Sequence, residues 1–458
     1  MSSGALTEQV LDLVARRAPG AEVEVTAHTQ TLALTRFANS YIHQNISDTT
    51  TAVRLRLHVD GRTASGATTV TGGDGLGNLV ERTLAAARLL PADPGWPGLT
   101  PPTAPSSPGN YDPATAEAEP AARAKAVRDF VDGAHGLTAA GYCRTTGVTA
   151  SFANSAGHRV DGAVSSAAVD AIARDGGADG VARFAGPRLA DVNGAALGAA
   201  AAAKASASDS PIDLPPGRYE VVLEPSAVVD LVSNLAIWGY NGKAVAEQRS
   251  FVELGVRQLD PSLTLVTDAA GPESLDLPFD AEGTPGRPVE LARDGVSLAV
   301  AHDRRTAKET GAVSTGHAMP LGFRFGPMPI GARLSPGDAP LAETAGRPAC
   351  DDSVAGLLGG MRRGLLVTDL WYTRVLDPRS LVETGLTRNG VWLVEDGEIV
   401  GPVSNLRFTQ SYPQALGPGQ VRAVGAVASA VPYHWGLLTF AAPALHLASW
   451  NFTGGAGG

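Results

Sequence analysis

The run Thr51–Val59 constrains the fold of this chain more than any other stretch. Val53, Leu55, Leu57 and Val59 alternate with Arg54, Arg56 and His58, the period of a half-buried strand, and Asp60-Gly61 follows as a tight-turn signal. Ala21–Thr35 alternates in the same way through Val23, Val25, Leu32 and Leu34. Two such ribbons in succession predict an antiparallel meander with one face buried. Around them the spacing is helical. Leu6, Val10, Leu13 and Val14 precede a stop at Pro19-Gly20, and Leu79, Leu84, Leu89 and Leu90 mark a helix over 76–90.

Further along, Pro91–Pro113 is dense in proline and small polar residues and reads as a long surface connection. A helix begins at Pro120, whose missing N–H costs nothing in a first turn, and runs to about Ala134 with Ala124, Val127 and Val131 inward. Strands are expected at 143–152 and 158–173, joined by the turn Asn154-Ser155-Ala156-Gly157, and an Ala-rich helix ends near Ser206. The stretch Ser206–Gly217 repeats Ser, Asp and Pro, and is the best candidate boundary. Beyond it come a strand at 219–223, a helix at 225–240, then short strands with much Gly and Pro, including a hairpin around Asp396-Gly397. The expected fold class is α+β. An N-terminal α+β domain, residues 1–207, carries an antiparallel sheet and helices, and a mostly β domain spans 208–458.

A chain of 458 residues is too long for one ordinary core, in line with two domains. Its net charge of −10, with no basic run, disfavours tracking of a nucleic-acid backbone. Two cysteines, Cys143 and Cys350, cannot staple so long a chain, so a reducing, cytoplasmic compartment is expected, with both thiols inert in the core. Met1–Gly20 lacks the basic start and continuous apolar stretch of a signal peptide, and no segment approaches the roughly 20 apolar residues that span a bilayer. Neither membrane nor nucleic-acid partners are expected.

The search for catalytic motifs is mostly negative. There is no HExxH, HxxEH, CxxC, GxSxG or SxxK, and the histidines, among them His43, His58, His302, His317, His434 and His446, are scattered. The glycine cluster at 72–77 reads as a turn before a helix. Asp280 and Glu282, two apart before Thr284-Pro285, form a capped, solvated turn on chemistry alone, or else a loop lining a cleft. The polar run Arg36, Asn39, His43 and Gln44 within strand-like sequence is either an exposed edge or a polar wall facing a cavity.

Taken in order, several of these segments resemble one family. They are Arg36–Gln44, Asp60-Gly61-Arg62, Ala153–Gly157, Pro216–Pro225, Phe279–Pro285, Ser314–His317, Thr384-Gly385, Glu395–Ile399 and Pro402-Val403. The set is similar to the TldD/TldE (PmbA) peptidases, also called modulators of DNA gyrase. That resemblance implies a barrel-like C-terminal domain and a heterodimer around an enclosed cavity. In it a TldD-like zinc peptidase, with an HExxxH helix and a later cysteine, acts on unfolded or short peptides. Aligning Ser250-Phe251 with the family's Ser-Phe pair puts the HExxxH slots near Ser233, Asn234 and Trp238. No His lies between His158 and His302, and no Cys follows Cys350. The resemblance therefore implies a TldE-like subunit with no zinc or other cofactor of its own, whose cavity contacts would be Arg36, Asn39, His43, Asp280, Glu282 and His317. Two other readings stay open. One is a silent homodimeric peptide binder. The other is a natural-product tailoring enzyme using Cys143, Cys350 or His317.

Overall fold

The computed structural model describes residues 2–104, 107–271, 274–320, 322–338, 354–432 and 439–455. The period-two segments of the first half become β1 (Glu22–Ala38), β2 (Tyr41–Val59), β3 (Arg62–Thr68), β4 (Thr138–Asn154), β5 (Arg159–Asp175) and β6 (Ala178–Gly186). They form one antiparallel sheet of order β3-β2-β1-β4-β5-β6. The β1–β2 hairpin turns at Asn39-Ser40, with φ of 51° and 63°. Two successive left-handed residues are what a two-residue hairpin turn needs to match strand twist. β2 outruns β3, which pairs with Val53–Val59 alone, so among the described residues 41–52 form an open edge.

One face of this sheet is covered by helices. α1 (Ser3–Arg17) and α2 (Gly75–Leu89) bury Leu6, Val10, Val14, Leu76 and Leu79 against Val23, Val25, Leu55 and Leu57. After α3 (Pro113–Ala116), α4 (Pro120–Gly133) and α5 (Gly194–Ser206) cover the other end, where Phe130, Ala201 and Ala202 pack on Phe37, Cys143 and Val169. A Cβ added at Gly198 would lie 2.1 Å from the Phe130 carbonyl oxygen. The helices therefore meet at backbone distance, which is why α5 is almost all Ala and Gly. The helical stripes differ by a step from expectation. In α1 Leu11 is buried and Leu13 only partly, and in α4 the buried set is Arg123, Ala126, Val127, Phe130 and Gly133. The large Phe130 ring sets the rotation of α4, and its contact with Phe37 outweighs the burial of Ala124 or Val131.

The second half supplies β7 (Gly217–Leu223), α6 (Pro225–Asn234), β8 (Leu263–Thr267), β9 (Val289–Arg293), β10 (Val296–Ser297) and β11 (Arg333–Pro336). There follow β12 (Arg363–Asp377), β13 (Val382–Glu395), β14 (Glu398–Pro402), β15 (Leu406–Ser411), β16 (Val421–Val424), β17 (Ser429–Pro432), β18 (Thr439–Ala442) and β19 (Leu445–Gly455). A second sheet has the order β10-β9-β8-β11-β18-β17. The remaining strands run β12-β7-β19-β15-β13, and β13 pairs back to β12, so five strands close into a barrel with β14 and β16 attached. Helix α6 packs between barrel and sheet through Val228, Leu231 and Val232, within a core that includes Leu265, Val367, Phe408 and Phe440. The helix expected to reach Tyr240 instead widens after Asn234. Tyr240 N donates to Leu235 O at 2.8 Å, a five-residue step that marks a π turn.

Candidate functional site

Cross-strand register puts the even-numbered residues of β1 on the face opposite the helices, and this face meets the second half. Near the strand starts the contact is a charged seam. Arg56 on β2 donates from Nε to Glu24 on β1 at 2.5 Å and from Nη2 to Glu282 at 2.9 Å. The other Glu282 oxygen accepts Arg304 N at 2.9 Å, and Thr100 Oγ1 donates to the Glu282 carbonyl at 2.7 Å. Burial works against the charged guanidinium, but Glu24 and Glu282 more than offset it and hold Arg56 firmly protonated. Burial pushes Glu24 up to about 7 against the pull of Arg56, and the charge on Glu282 adds to the rise. Residues Arg304–Thr310 also clasp the Pro-rich connection. Arg305 forks onto Asp93 at 2.9 and 2.7 Å, Arg304 Nη2 donates to Leu99 O at 2.8 Å, and Lys308 Nζ donates to Trp96 O at 2.7 Å.

Asp280 and His317 belong to the same seam. Asp280 Oδ1 accepts Glu282 N and Thr284 N, each at 2.9 Å, and Oδ2 accepts Ala318 N at 2.8 Å, which ties two loops together. Burial and the neighbouring Glu282 charge raise its pKa, and these three N–H donors hold the rise back. Gly283 is required in this turn: its φ is +71°, and a Cβ would sit 2.3 Å from the Phe152 ring. His158 Nδ1 accepts Thr103 N at 3.3 Å, so its Nε2 carries the proton and donates to Gly283 O at 2.7 Å. Both ring nitrogens of His317 meet threonine hydroxyls, Thr315 at 2.9 Å and Thr267 at 3.2 Å, and burial lowers its pKa to about 4.

The structure thus brings Asp280, Glu282 and His317 together but leaves Arg36, Asn39 and His43 elsewhere. Those three lie at the far end of the β1–β2 hairpin, all exposed, and Asn39 forms the turn itself. Arg36 is twelve residues along β1 from Glu24, about 40 Å at roughly 3.3 Å per residue. Between the two ends, a cleft of about 540 Å³ separates β6 from the second sheet, lined by Phe184, Ala185, Asp268, Arg333, Ala430 and Phe440 among others.

A second buried polar group sits where α6 meets the barrel. Asp230 on α6 accepts Thr373 Oγ1 at 2.9 Å and Tyr412 Oη at 2.6 Å. Burial raises it to about 6, against those two hydrogen bonds. Glu383 on β13 has no exposed surface, and neither carboxylate oxygen finds a hydrogen-bond partner among the described residues. Burial and then the charge on Asp230 raise it to about 8. One signal for this group was in the sequence: Asp230 stands in Val228-Val229-Asp230-Leu231-Val232, a charge amid unbroken apolar residues. Glu383 and Glu24 gave no such sign, because their inward placement depends on which strand face is in use.

The positions aligned with the zinc motif follow at the end of this helix and in the π turn after it. Ser233 Oγ donates to Asp230 O at 2.8 Å, Asn234 Nδ2 donates to the same carbonyl at 3.0 Å, and Trp238 packs half-buried on the core. A hydroxyl, an amide donor and an indole do not fit zinc, which takes imidazole, thiolate or carboxylate. Among the described residues no three His, Cys, Asp or Glu side chains converge as metal ligands. Cys143 is buried and pushed up to about 12 by that burial, whereas Cys350 and His434 lie outside the described residues.

The profile of the PmbA/TldA metallopeptidase C-terminal domain matches residues 216–454, just over half of the chain. A metalloprotease of Synechocystis sp. is 25% identical over 197 residues, so the chain spans 39% of the length of that curated relative, with 42% of its own. TldE from Thermococcus kodakarensis shares the fold with a TM-score of 0.82 at 18% identity, over 98% of this chain and 100% of the other. A Thermotoga maritima protein described as a modulator of DNA gyrase gives 0.80 at 19% identity, over 99% and 100% of the two chains.

Proposed function

The chain belongs to the PmbA/TldD metallopeptidase family, and from that premise we propose that it is a TldE-like subunit of a heterodimeric peptidase. Its TldD-like partner carries the zinc and cleaves unfolded or short peptides. This chain supplies a wall of the chamber and positions the peptide. The observation that carries the reading is the state of α6 and the π turn after it: Ser233 and Asn234 turn their polar atoms back onto Asp230, and Trp238 packs half-buried against the core. With no imidazole or thiolate there, no water is activated in the zinc manner. The fold shared with Thermococcus TldE supports the same reading.

In this reading Arg36, Asn39 and His43 on the exposed hairpin face the partner or the chamber. Asp280, Glu282 and His317, whose polar atoms are already engaged, hold the seam that sets the cleft. Residues 1–207 and 208–458 act as two domains about that seam. A cytoplasmic setting fits two cysteines and, among the described residues, the absence of a helix long and apolar enough to cross a membrane. The test is zinc content and peptide hydrolysis of the pure chain, then of the chain with an HExxxH-bearing relative. We expect hydrolysis from the pair alone, and co-elution of the two chains on size exclusion. Stoichiometric zinc and chelator-sensitive hydrolysis from this chain by itself would sink the proposal.

A further inference from the structure

On the sheet face that looks toward the second half, three cross-strand rows lie side by side. They are Arg36–Tyr142–Asp170–Arg183, Leu34–Arg144–Ala168–Ala185 and Leu32–Thr146–Ser166. Directly paired residues share a face, so these side chains project together, and Ala185 at the end of the middle row lines the cleft. In the first row the buried charge is balanced. Arg183 donates from Nε to Asp170 at 3.0 Å and from Nη2 to Asp369 of the barrel at 2.9 Å.

Arg144 has no such match. Its guanidinium lies 5.9 Å from the centre of the Tyr142 ring, yet it forms no hydrogen bond or ion pair among the described residues, and its Nε is buried without an acceptor. Two residues along the same face, Thr146 is only 3% exposed and its Oγ1 is also unpartnered. A buried guanidinium N–H and a buried hydroxyl left unpaired are costly. Their Cα atoms stand about 7 Å apart on one face of one strand, a span the long arginine side chain can cover, so the two groups complement one acceptor of single negative charge.

We propose that Arg144 and Thr146 form a subsite for a carboxylate of the bound peptide, beside the cleft. The inference rests on the peptide-handling role proposed above. A carboxylate suits a guanidinium fork. The apolar cleft wall of Phe184, Ala185 and Phe440 suits the side chains that precede it. A more highly charged anion is disfavoured by Asp170 in the adjacent row and by the net charge of −10.

The experiment is calorimetric binding to the full chain of three acetylated apolar tetrapeptides: a free acid, its C-terminal amide, and an amide with an internal Glu. The free acid is expected to bind about 10- to 100-fold more tightly than the plain amide. Recovery of affinity by the Glu peptide assigns the site to acidic side chains, and its absence to chain termini. Either result supports the carboxylate site. Arg144→Met should abolish the preference, Arg144→Lys should restore part of it, and Thr146→Val should reduce it, with unchanged circular dichroism as the control for folding. Equal binding of acid and amide, or a preference that survives Arg144→Met, overturns the subsite and leaves the peptide reading standing. Absence of binding by all three peptides overturns both.

Discussion

At the seam Glu24 and Glu282 share the guanidinium of Arg56, whereas at the junction of α6 and the barrel Asp230 meets only neutral donors, two hydroxyls and the Asn234 amide, and Glu383 meets no partner among the described residues. Both groups are buried, so both have lost water. The seam replaces water with opposite charge and fixed N–H donors. The barrel replaces it with Thr373 and Tyr412, and burial moves its carboxyls toward the neutral form. The first arrangement holds two halves of a chain in one register. The second leaves Glu383 with no cation or donor to hold its charge, so burial raises it further than Glu24, which Arg56 pulls back down.

If that contrast is right, cutting the seam has the largest effect. Glu282→Ala leaves Arg56 with one buried carboxylate and removes the acceptor for Arg304 N. Loss of one partner of a buried pair should lower unfolding stability by about 3–5 kcal/mol in urea denaturation. A loss below about 1 kcal/mol would mean that the seam is not a mainstay of the fold.

The barrel should respond to pH. Glu383 is raised from 4.5 to about 8, so between those values the folded state binds more protons than the unfolded chain, and stability falls as pH rises through that window. Glu24, raised to about 7, adds the same sign over a narrower range. Glu383→Gln cannot ionise and should be more stable than the parent at pH 8 by a few kcal/mol, on the order of one pKa unit per 1.4 kcal/mol. The gain should vanish near pH 4. Equal pH slopes in the two proteins would remove Glu383 from the account.

Tyr412→Phe deletes the donor to Asp230 Oδ2 and should cost about 1–3 kcal/mol, while moving the carboxyl of Asp230 above its value of about 6, as followed by NMR titration. An unmoved titration would show that another group holds Asp230. The smallest effect is expected at the surface. Arg174 and Asp179 pair across exposed strand ends, and Asp179→Asn should change stability by less than about 1 kcal/mol.

The helix-side face of the first sheet was legible because its odd-numbered β1 residues, such as Val23 and Val25, are apolar. The opposite face was hidden by the same alternation. Glu24, Arg56 and Tyr142 look like a solvated surface until a second body is known to sit on them. The hairpin tip at Asn39-Ser40 was not legible: the polar run Arg36–Gln44 reads as one strand, and only the paired left-handed residues show that it turns back on itself. In the second half, the turn at Asp396-Gly397 was readable from the residues, whereas the barrel was implied by the family resemblance alone and by no local pattern. Closure depends on β7 pairing with both β12 and β19, contacts between segments far apart in sequence that no local period encodes.

The overhang of β2 carries a further consequence. Twelve residues of strand, Tyr41–Ala52, present backbone donors and acceptors along a border that no other strand pairs among the described residues, the geometry that promotes sticking to other chains. The protein guards this border with hydroxyls, amides and one carboxylate: Gln44, Asn45, Ser47, Asp48, Thr49 and Thr50. Solubility of the lone chain therefore rests on those polar gatekeepers, and replacing them with β-branched apolar residues would turn the tip into a seed for aggregation.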